Sequence, residues 1–537
     1  MNKGTGIIAG VLVSSILFGG TSVQAATKNK AINYTVTSEL QTLNQATAAD
    51  TVSESILYST GQGLYRMNGK SKVVLADAKS VDISKDGKTY TFHLKSGLQY
   101  SNGTKVTAQD YVYGFQQTLT PKNQSTAASS VLDIVGAADF YNGKTTNFST
   151  VGVKALDSKT VQIKLTVANP DLPKILTGSG FYPENKAFID STDGKYGSTA
   201  ATSLSNGPYI LKDFNGSSTT FQLVKNPNYV DAAKVKTPQV NYTVVKDNTT
   251  GYNLFQSGKV DYTTLNATQV KSLKKSKEYR ADKTEYTTYM QFNLKRSVLN
   301  NKKIRQAMEI GVNKKELAND VLTGSSTPAT TFAPANIQTD HKSGKDFSKA
   351  YQTTYNQYNA KKAAKLFAAG MKEEGKQTAT VTILAADTSE AKDVSVYLKA
   401  QLEKNLKGLT VNIKNVPKPT LIADMRAGNF DIVYIGWEGD ASGVMSYEQV
   451  FTSDGIFSFG NYKSATYDAL IKKAKTTDAT KEKERVADLG KADQMLQKDA
   501  ALAPLGYTTT SALLSKQVKN LQINAYGDVD FMHAVKK

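Results

Sequence analysis

One short stretch of the chain gathers, at close spacing, residues able to do chemistry. Phe430–Asp440 reads Phe-Asp-Ile-Val-Tyr-Ile-Gly-Trp-Glu-Gly-Asp and contains the only tryptophan, Trp437. Glu438 follows it directly, and a second acid, Asp440, comes three residues after the indole. An apolar run that delivers an aromatic and a carboxylate to its carboxyl end is built like a ligand site, because parallel sheets bind their ligands beyond that edge. Tyr434, Gly436, Trp437, Glu438 and Asp440 therefore form the candidate ligand-binding set. Two of them have ordinary alternatives: Asp440 as a solvent-exposed turn acid, and Trp437 as a core aromatic.

Other chemistries find less support. Cysteine is absent, which removes disulfides, thiol catalysis and cysteine metal sites. His93, His341 and His533 are far apart in sequence and none has a ligand-like neighbour spacing. There is no Gly-x-Ser-x-Gly elbow and no His-Glu-x-x-His. Gly63–Ser71 ends in Gly-Lys-Ser but has one residue too many between its glycines for a phosphate loop. Nothing singles out a carboxylate pair for glycoside chemistry. A binding protein without enzymatic activity, cofactor or metal is expected.

The elements that must position the candidate set follow from periodicity. Thr380–Ala386 reads as a strand, Ser389–Lys407 as a helix closed by Gly408, and Leu409–Val416 as a second strand. A short helix over Thr420–Ala427 then feeds the strand Phe430–Gly436. This β-α-β-α-β run calls for a parallel sheet with right-handed crossovers. The N-terminal half differs. Val81–Ser84 and Lys88–Lys95 flank Asp86-Gly87, a strong hairpin signal. Thr107 with Asp110 is spaced as a helix capping box, Val112, Phe115 and Leu119 form the apolar stripe, and Pro121 ends it. Val161, Ile163, Leu165 and Val167 alternate as another strand. An α+β unit with an antiparallel sheet is expected there, and two units of different sheet type suggest a cleft between them.

The 537 residues, 39% hydrophobic and 21% charged, are enough for several domains of ordinary soluble composition. Lys3, the apolar run Ile7–Phe18 and Val23-Gln24-Ala25 match a secretory signal cleaved after Ala25. The formal net charge is +19, and losing Lys3 with the signal leaves +18 (19 − 1). A secreted, cell-surface protein without a cysteine for lipid attachment is expected. Its basic charge serves solubility or attraction to anionic cell-wall polymers, and export argues against nucleic acid.

The ordered motifs carry a family resemblance. Tyr90–Leu119, then Asn206-Gly207-Pro208-Tyr209, Lys225-Asn226-Pro227-Asn228-Tyr229 and Gln256-Ser257-Gly258-Lys259-Val260-Asp261 follow one another along the chain. Gln291-Phe292-Asn293, Lys303-Ile304-Arg305-Gln306-Ala307 and Tyr467-Asp468-Ala469-Leu470 continue the series. Together they resemble the oligopeptide-binding solute-binding proteins of peptide-type ABC importers. Tyr100 and Asn102 stand where that family usually has tryptophan and aspartate.

The resemblance implies an α/β, two-lobed, periplasmic-binding-protein-like fold with an extra inserted α+β subdomain and a ligand cleft between the lobes. It implies a signal over residues 1–25, a first lobe from 26–72, 203–285 and 507–537, an inserted subdomain over 73–202, and a second lobe over 286–506. The implied ligand is an oligopeptide held by its backbone, with ABC permease subunits as partners and a monomer as the working form. Trp437 and Asp440 fall on the family's Gly-Trp-x-x-Asp motif, where the acid is implied to hold the peptide's α-ammonium. Tyr65 and Tyr209 are further cleft candidates, with core packing the commoner role for each. Tyr434 stands where an arginine occurs in some relatives, so the partner of the peptide's carboxylate is left open, and Arg305 reads as a structural helix charge. Relatives also bind dipeptides, nickel complexes, haem or sugars, and a surface adhesin is a second role compatible with the charge.

Overall fold

The computed structural model describes residues 30–439, 443–455 and 458–537. The signal stretch and Asp440 lie outside the described residues. Hydrophobic alternation builds two sheet systems. The larger joins, in order, Leu409–Val416, Ala379–Ala386, Ile432–Glu438, Tyr279–Phe292, Leu502–Leu514, Tyr262–Thr264, Ile32–Val36, Gln239–Val244, Thr220–Lys225 and Tyr209–Lys212. The second lobe occupies its first strands and the first lobe its last.

The expected β-α-β-α-β run is present: Ala379–Ala386, helix Ser389–Asn405, Leu409–Val416, helix Lys418–Ala427 and Ile432–Glu438. Ala379–Ala386 lies between the other two strands and pairs parallel with both. Helix Ser389–Asn405 starts where Thr388 accepts the amide of Ala391, and the 17-residue helix gives way to Gly408, whose φ of 91° suits glycine. Val394, Leu398 and Leu402 bury one face of this helix against Ile383, Val411 and Ile432.

The inserted α+β subdomain is a four-stranded antiparallel sheet in the order Ala78–Ile83, Thr89–Leu94, Thr160–Lys164, Val153–Asp157. Gly87 turns its hairpin at φ 68°. Asp110 accepts the amide and hydroxyl of Thr107 at 2.7 and 2.9 Å, which starts helix Ala108–Leu119. Phe115 and Leu119 of that helix, with Phe92 and Ile163, are wholly buried in the subdomain's core.

Two long strands, Tyr279–Phe292 and Leu502–Leu514, run through both lobes side by side. Their pairing holds one register from Tyr279↔Leu513 to Lys283↔Thr509, shifts before Thr287↔Tyr507, and shifts again between Thr288↔Gly506 and Tyr289↔Pro504. The ladder is interrupted at 284–286, where the chain passes from one lobe to the other. Across the opening, the Arg485 guanidinium of the second lobe pairs with Asp171 of the inserted subdomain, and Lys174 Nζ lies 3.8 Å from Glu285.

Candidate functional site: an open strand edge in an acid-walled cleft

The candidate residues sit on the strand Ile432–Glu438, which pairs antiparallel with Tyr279–Phe292 from Phe292↔Ile432 to Tyr286↔Glu438. Just beyond each end of this ladder, the Gly439 amide donates to Glu285 O at 3.2 Å and the Asn293 amide to Asp431 O at 2.9 Å. Opposed residues in an antiparallel ladder alternate between bonded and non-bonded pairs. Val433, Ile435 and Trp437 therefore bond inward, and Ile432, Tyr434, Gly436 and Glu438 turn their N–H and C=O to the other side.

On that other side, the parallel neighbour Ala379–Ala386 pairs only with Ile432 and Val433 before the strands splay. That pairing takes the Tyr434 amide, and no strand among the described residues pairs with Gly436 or Glu438 along this edge. Two donors, the amides of Gly436 and Glu438, and three acceptors, the carbonyls of Tyr434, Gly436 and Glu438, are thus left at the spacing of an incoming strand. Edges of this kind are templates for pairing with another chain.

Side chains alternate in the same way. Tyr434, Gly436 and Glu438 share one face with Tyr286 and Thr288 of the neighbouring strand. The Tyr286 ring lies directly over Gly436, where an added Cβ would sit 2.1 Å from it. Glycine is required there by space. The Tyr434 hydroxyl is 3.5 Å from Glu390 Oε1, at the start of helix Ser389–Asn405. Trp437 is on the opposite face, half-buried against the second lobe's core, and its Nε1 donates to Ser446 O at 3.1 Å. It fastens the strand to helix Val444–Glu448. The Tyr447 hydroxyl, which donates to Glu285 O, accepts the Gly439 amide at 2.9 Å. The residues flanking 440–442 are thus pinned on both sides.

Four carboxyl groups from separate parts of the chain approach this face. Glu438 remains solvent-accessible, yet burial among the cleft walls, with Asp528 and Glu285 adding repulsion, pushes its pKa up to about 7. Asp528 is pushed up to about 6, by burial against the opposing help of Asn524 and Arg66. Glu54 is pushed up to about 7 by burial, with Asp528 next to it, although the Ser179 hydroxyl donates to it at 2.5 Å. Glu285 completes the set and has Lys174 as its near cation. In a chain of net charge +19, the cleft wall is locally acidic. Such a wall favours a cationic group brought out of water.

Two candidates are corrected. Tyr209 is 1% exposed, and its hydroxyl donates to Thr237 O at 3.2 Å within the first lobe's core. Tyr65 is also buried, its ring set edge-on to Phe92 at 5.6 Å in the inserted subdomain's core. Both are packing residues, because aromatic bulk is what those cores use. Arg305 is structural, donating to the carbonyls of Leu299, Asn300, Asp499 and Ala500. Sequence reading missed Tyr286, Glu285, Glu54 and Asp528, which lie about 90 or more positions from Trp437 and are brought near its strand by pairing and packing that no local pattern reveals. A cavity of about 330 Å³ lies apart from the edge, between the inserted subdomain and the second lobe, near Asp133, Met445, Gln449 and Arg485.

Two lobes, a cleft and an unfilled strand edge facing it define a protein that encloses a solute. The chain belongs to the bacterial extracellular solute-binding proteins, family 5 (Middle), whose model matches residues 72–459. It is similar to the dipeptide-binding protein of Lactococcus lactis, 31% identical over 93% of each chain. Among solved structures it is similar to the substrate-binding domain of an oligopeptide ABC transporter from Bacillus anthracis, with a TM-score of 0.82 and 33% identity over 95% of this chain and 99% of that one. Listeria monocytogenes OppA bound to peptide matches with a TM-score of 0.81 and 30% identity over 95% of this chain and all of that one. The family and these relatives are named for binding and transport.

Proposed function

We propose that this protein is the extracellular substrate-binding component of an ABC peptide importer. It captures oligopeptides as an added strand on the Tyr434–Glu438 edge and hands them to membrane permease subunits. The observation that carries this reading is the outward set of the Gly436 and Glu438 N–H groups and the Tyr434, Gly436 and Glu438 C=O groups, which matches a peptide backbone and ignores its side chains. The acid wall suits the peptide's α-ammonium, with Asp440 its anchor and Glu438 beside it. Trp437 acts behind the strand as support. The lobes, bounded near residues 72, 202, 285 and 506, close about the register break in the two crossing strands, a hinge between rigid halves. A monomer suffices for this cycle. The net charge supports retention at the surface by anionic cell-wall polymers, and the absence of cysteine supports attachment without a lipid anchor.

The test is calorimetry with free and N-acetylated peptides on the wild type and Asp440→Ala. Breaking a buried ion pair by removing one partner costs about 3–5 kcal/mol, while a micromolar complex holds only about 8 kcal/mol in all. Both changes should therefore weaken binding at least about tenfold. Unchanged affinity in both arms would remove the amine anchor. Mass spectrometry of ligand released on denaturation separates peptide from sugar, haem or nickel complex.

A further inference from the structure

The first lobe's sheet ends in lysines. Register sets five adjacent strands level at one end: Gln239–Val244, Ile32–Val36, Tyr262–Thr264 and Tyr279–Phe292 start there, and Leu502–Leu514 finishes there. Within three residues of that end each strand has an exposed lysine: Lys236, Lys30, Lys259, Lys277 and Lys516. Five strands at the usual spacing make a row roughly 19 Å long.

The row continues over both faces of the sheet. On the face where Val270 packs with Leu513, helix Ala267–Leu273 leads into the exposed Lys274 and Lys275 before the strand at Tyr279. On the face where Val518 and Ala534 pack with Tyr34 and Tyr262, residues 534–537 lie across the strand ends. There Thr237 Oγ1 donates to Ala534 O, Val518 pairs with Lys536, and Lys519 and Lys537 are exposed. Residues 254–279 and 511–521 hold seven lysines against two acids, Asp261 and Glu278, so the end is basic on balance. Glu278 is half-buried, and Asp261 is engaged inside the fold, accepting the Asn33 amide and Lys536 Nζ, each at 2.8 Å. None of the exposed lysines named here has an ion-pair partner among the described residues. In the second lobe, by contrast, Lys303 pairs with Glu373, Lys399 with Glu403, and Lys473 with Asp478 and Asp488. Unpaired like charges set side by side repel one another, and a polyanion laid over them relieves that repulsion.

We propose that this end of the first lobe is the docking surface for a linear phosphodiester polymer of the cell wall. The polymer lies along the strand ends and bends over both flanks. This rests on the charge-retention reading given above and gives it a place on the molecule. A basic band that wraps around an edge fits a thread, whereas a flat bilayer meets only one side of it. Lysine suits such a partner, because its ammonium acts on phosphate as a point charge and needs no fixed geometry. Counterions released from the polymer make the contact weaken as salt rises. The position also leaves transport free. From Tyr279 to the break at 284–286 is five to seven residues, about 17–24 Å along the strand, so the open edge and the second lobe lie beyond the polymer. The tethered protein closes on its ligand while it is held.

The test sets two charge-matched variants against the wild type. One combines Lys259→Gln, Lys274→Gln, Lys277→Gln and Lys516→Gln. The control combines Lys361→Gln, Lys362→Gln, Lys365→Gln and Lys372→Gln, all exposed positions of helix Ala360–Glu373 in the second lobe. Exposed lysines carry little packing, so both variants should melt with the wild type. Each protein is titrated with poly(glycerol phosphate) and, at equal phosphate, with phosphatidylglycerol vesicles. The wild type should bind the polymer in a salt-sensitive way and more tightly than the vesicles. The first variant should bind it about tenfold more weakly or worse, the scale of four exposed ion pairs, and the control within about twofold of the wild type. Equal weakening in both variants overturns the docking surface while retention by diffuse charge stands. Tighter binding to vesicles than to polymer overturns the thread-like partner. If the wild type binds no polymer, the charge-retention reading itself fails, and the docking surface with it.

Discussion

Methylating the backbone amides of a ligand one at a time tests the strand edge without altering the protein. Gly436 and Glu438 offer two amides, and Tyr434, Gly436 and Glu438 three carbonyls, at two-residue spacing. At about 3.4 Å per residue the edge spans roughly 17 Å, the length of a five-residue strand. Only alternate peptide residues can bond to it, because the others turn their amides away. An N-methyl group on a bonded amide removes one hydrogen bond and leaves a strand carbonyl dry. That costs about 1–3 kcal/mol, or roughly 5- to 150-fold in affinity. On an intervening residue the same group should change affinity by about twofold or less. Calorimetry over a hexapeptide series should therefore give a sawtooth of period two along the positions that cover the edge. The conformational effect of N-methylation is common to all positions and does not remove the alternation. A flat profile, or one in which adjacent positions suffer equally, would refute strand addition. The protein-side counterpart is Glu438→Pro, which deletes one outward amide while Trp437 and Gly439 keep the inward bonds. It should bind peptide about tenfold more weakly than Glu438→Ala, which removes the charge alone.

Glu184 offers a stability test away from the cleft. It is 1% exposed, neither carboxyl oxygen has a partner among the described residues, and burial pushes its pKa up to about 8. The folded state thus favours the protonated acid. Its contribution is fully present below about pH 4.5, the unfolded value, and is lost as pH rises to about 8, with a slope approaching about 1.4 kcal/mol per pH unit. Glu184→Gln should gain on the wild type between pH 5 and pH 8 in urea or thermal melts, and parallel pH profiles for the two proteins would contradict this. The basic surface gives a cellular test: washing intact cells with high salt should release the protein if charge is its tether, since screening weakens such contacts. Retention through that wash points to another attachment.

Much of the second lobe is legible from local pattern. The β-α-β-α-β run has the expected strand and helix spans to within a few residues, because its apolar periods of 2 and 3.6 are read from neighbours in the chain. The hairpin at Gly87 and the Thr107–Asp110 cap are equally local, and both form. Tyr65 and Tyr209 stay open between cleft and core in the sequence for the opposite reason. An aromatic residue beside a motif has no local mark that tells cleft from core, and burial by distant segments decided it.

By itself the sequence determined the parallel second lobe, the antiparallel inserted subdomain and the strand that carries Trp437 to its carboxyl end. Tertiary structure alone decided which edge of that strand stays open. That depends on Ala379–Ala386 splaying away after Val433 and on the register against Tyr279–Phe292. It also decided that Tyr434 is buried in the second lobe's core, that Trp437 packs toward Ser446 while Glu438 stays exposed on the other face, and that Glu285 and Asp528 come near Glu438. Strand alternation gives two faces but not which one meets a ligand. Carboxylates hundreds of residues apart become one electrostatic surface only when long-range packing sets them side by side.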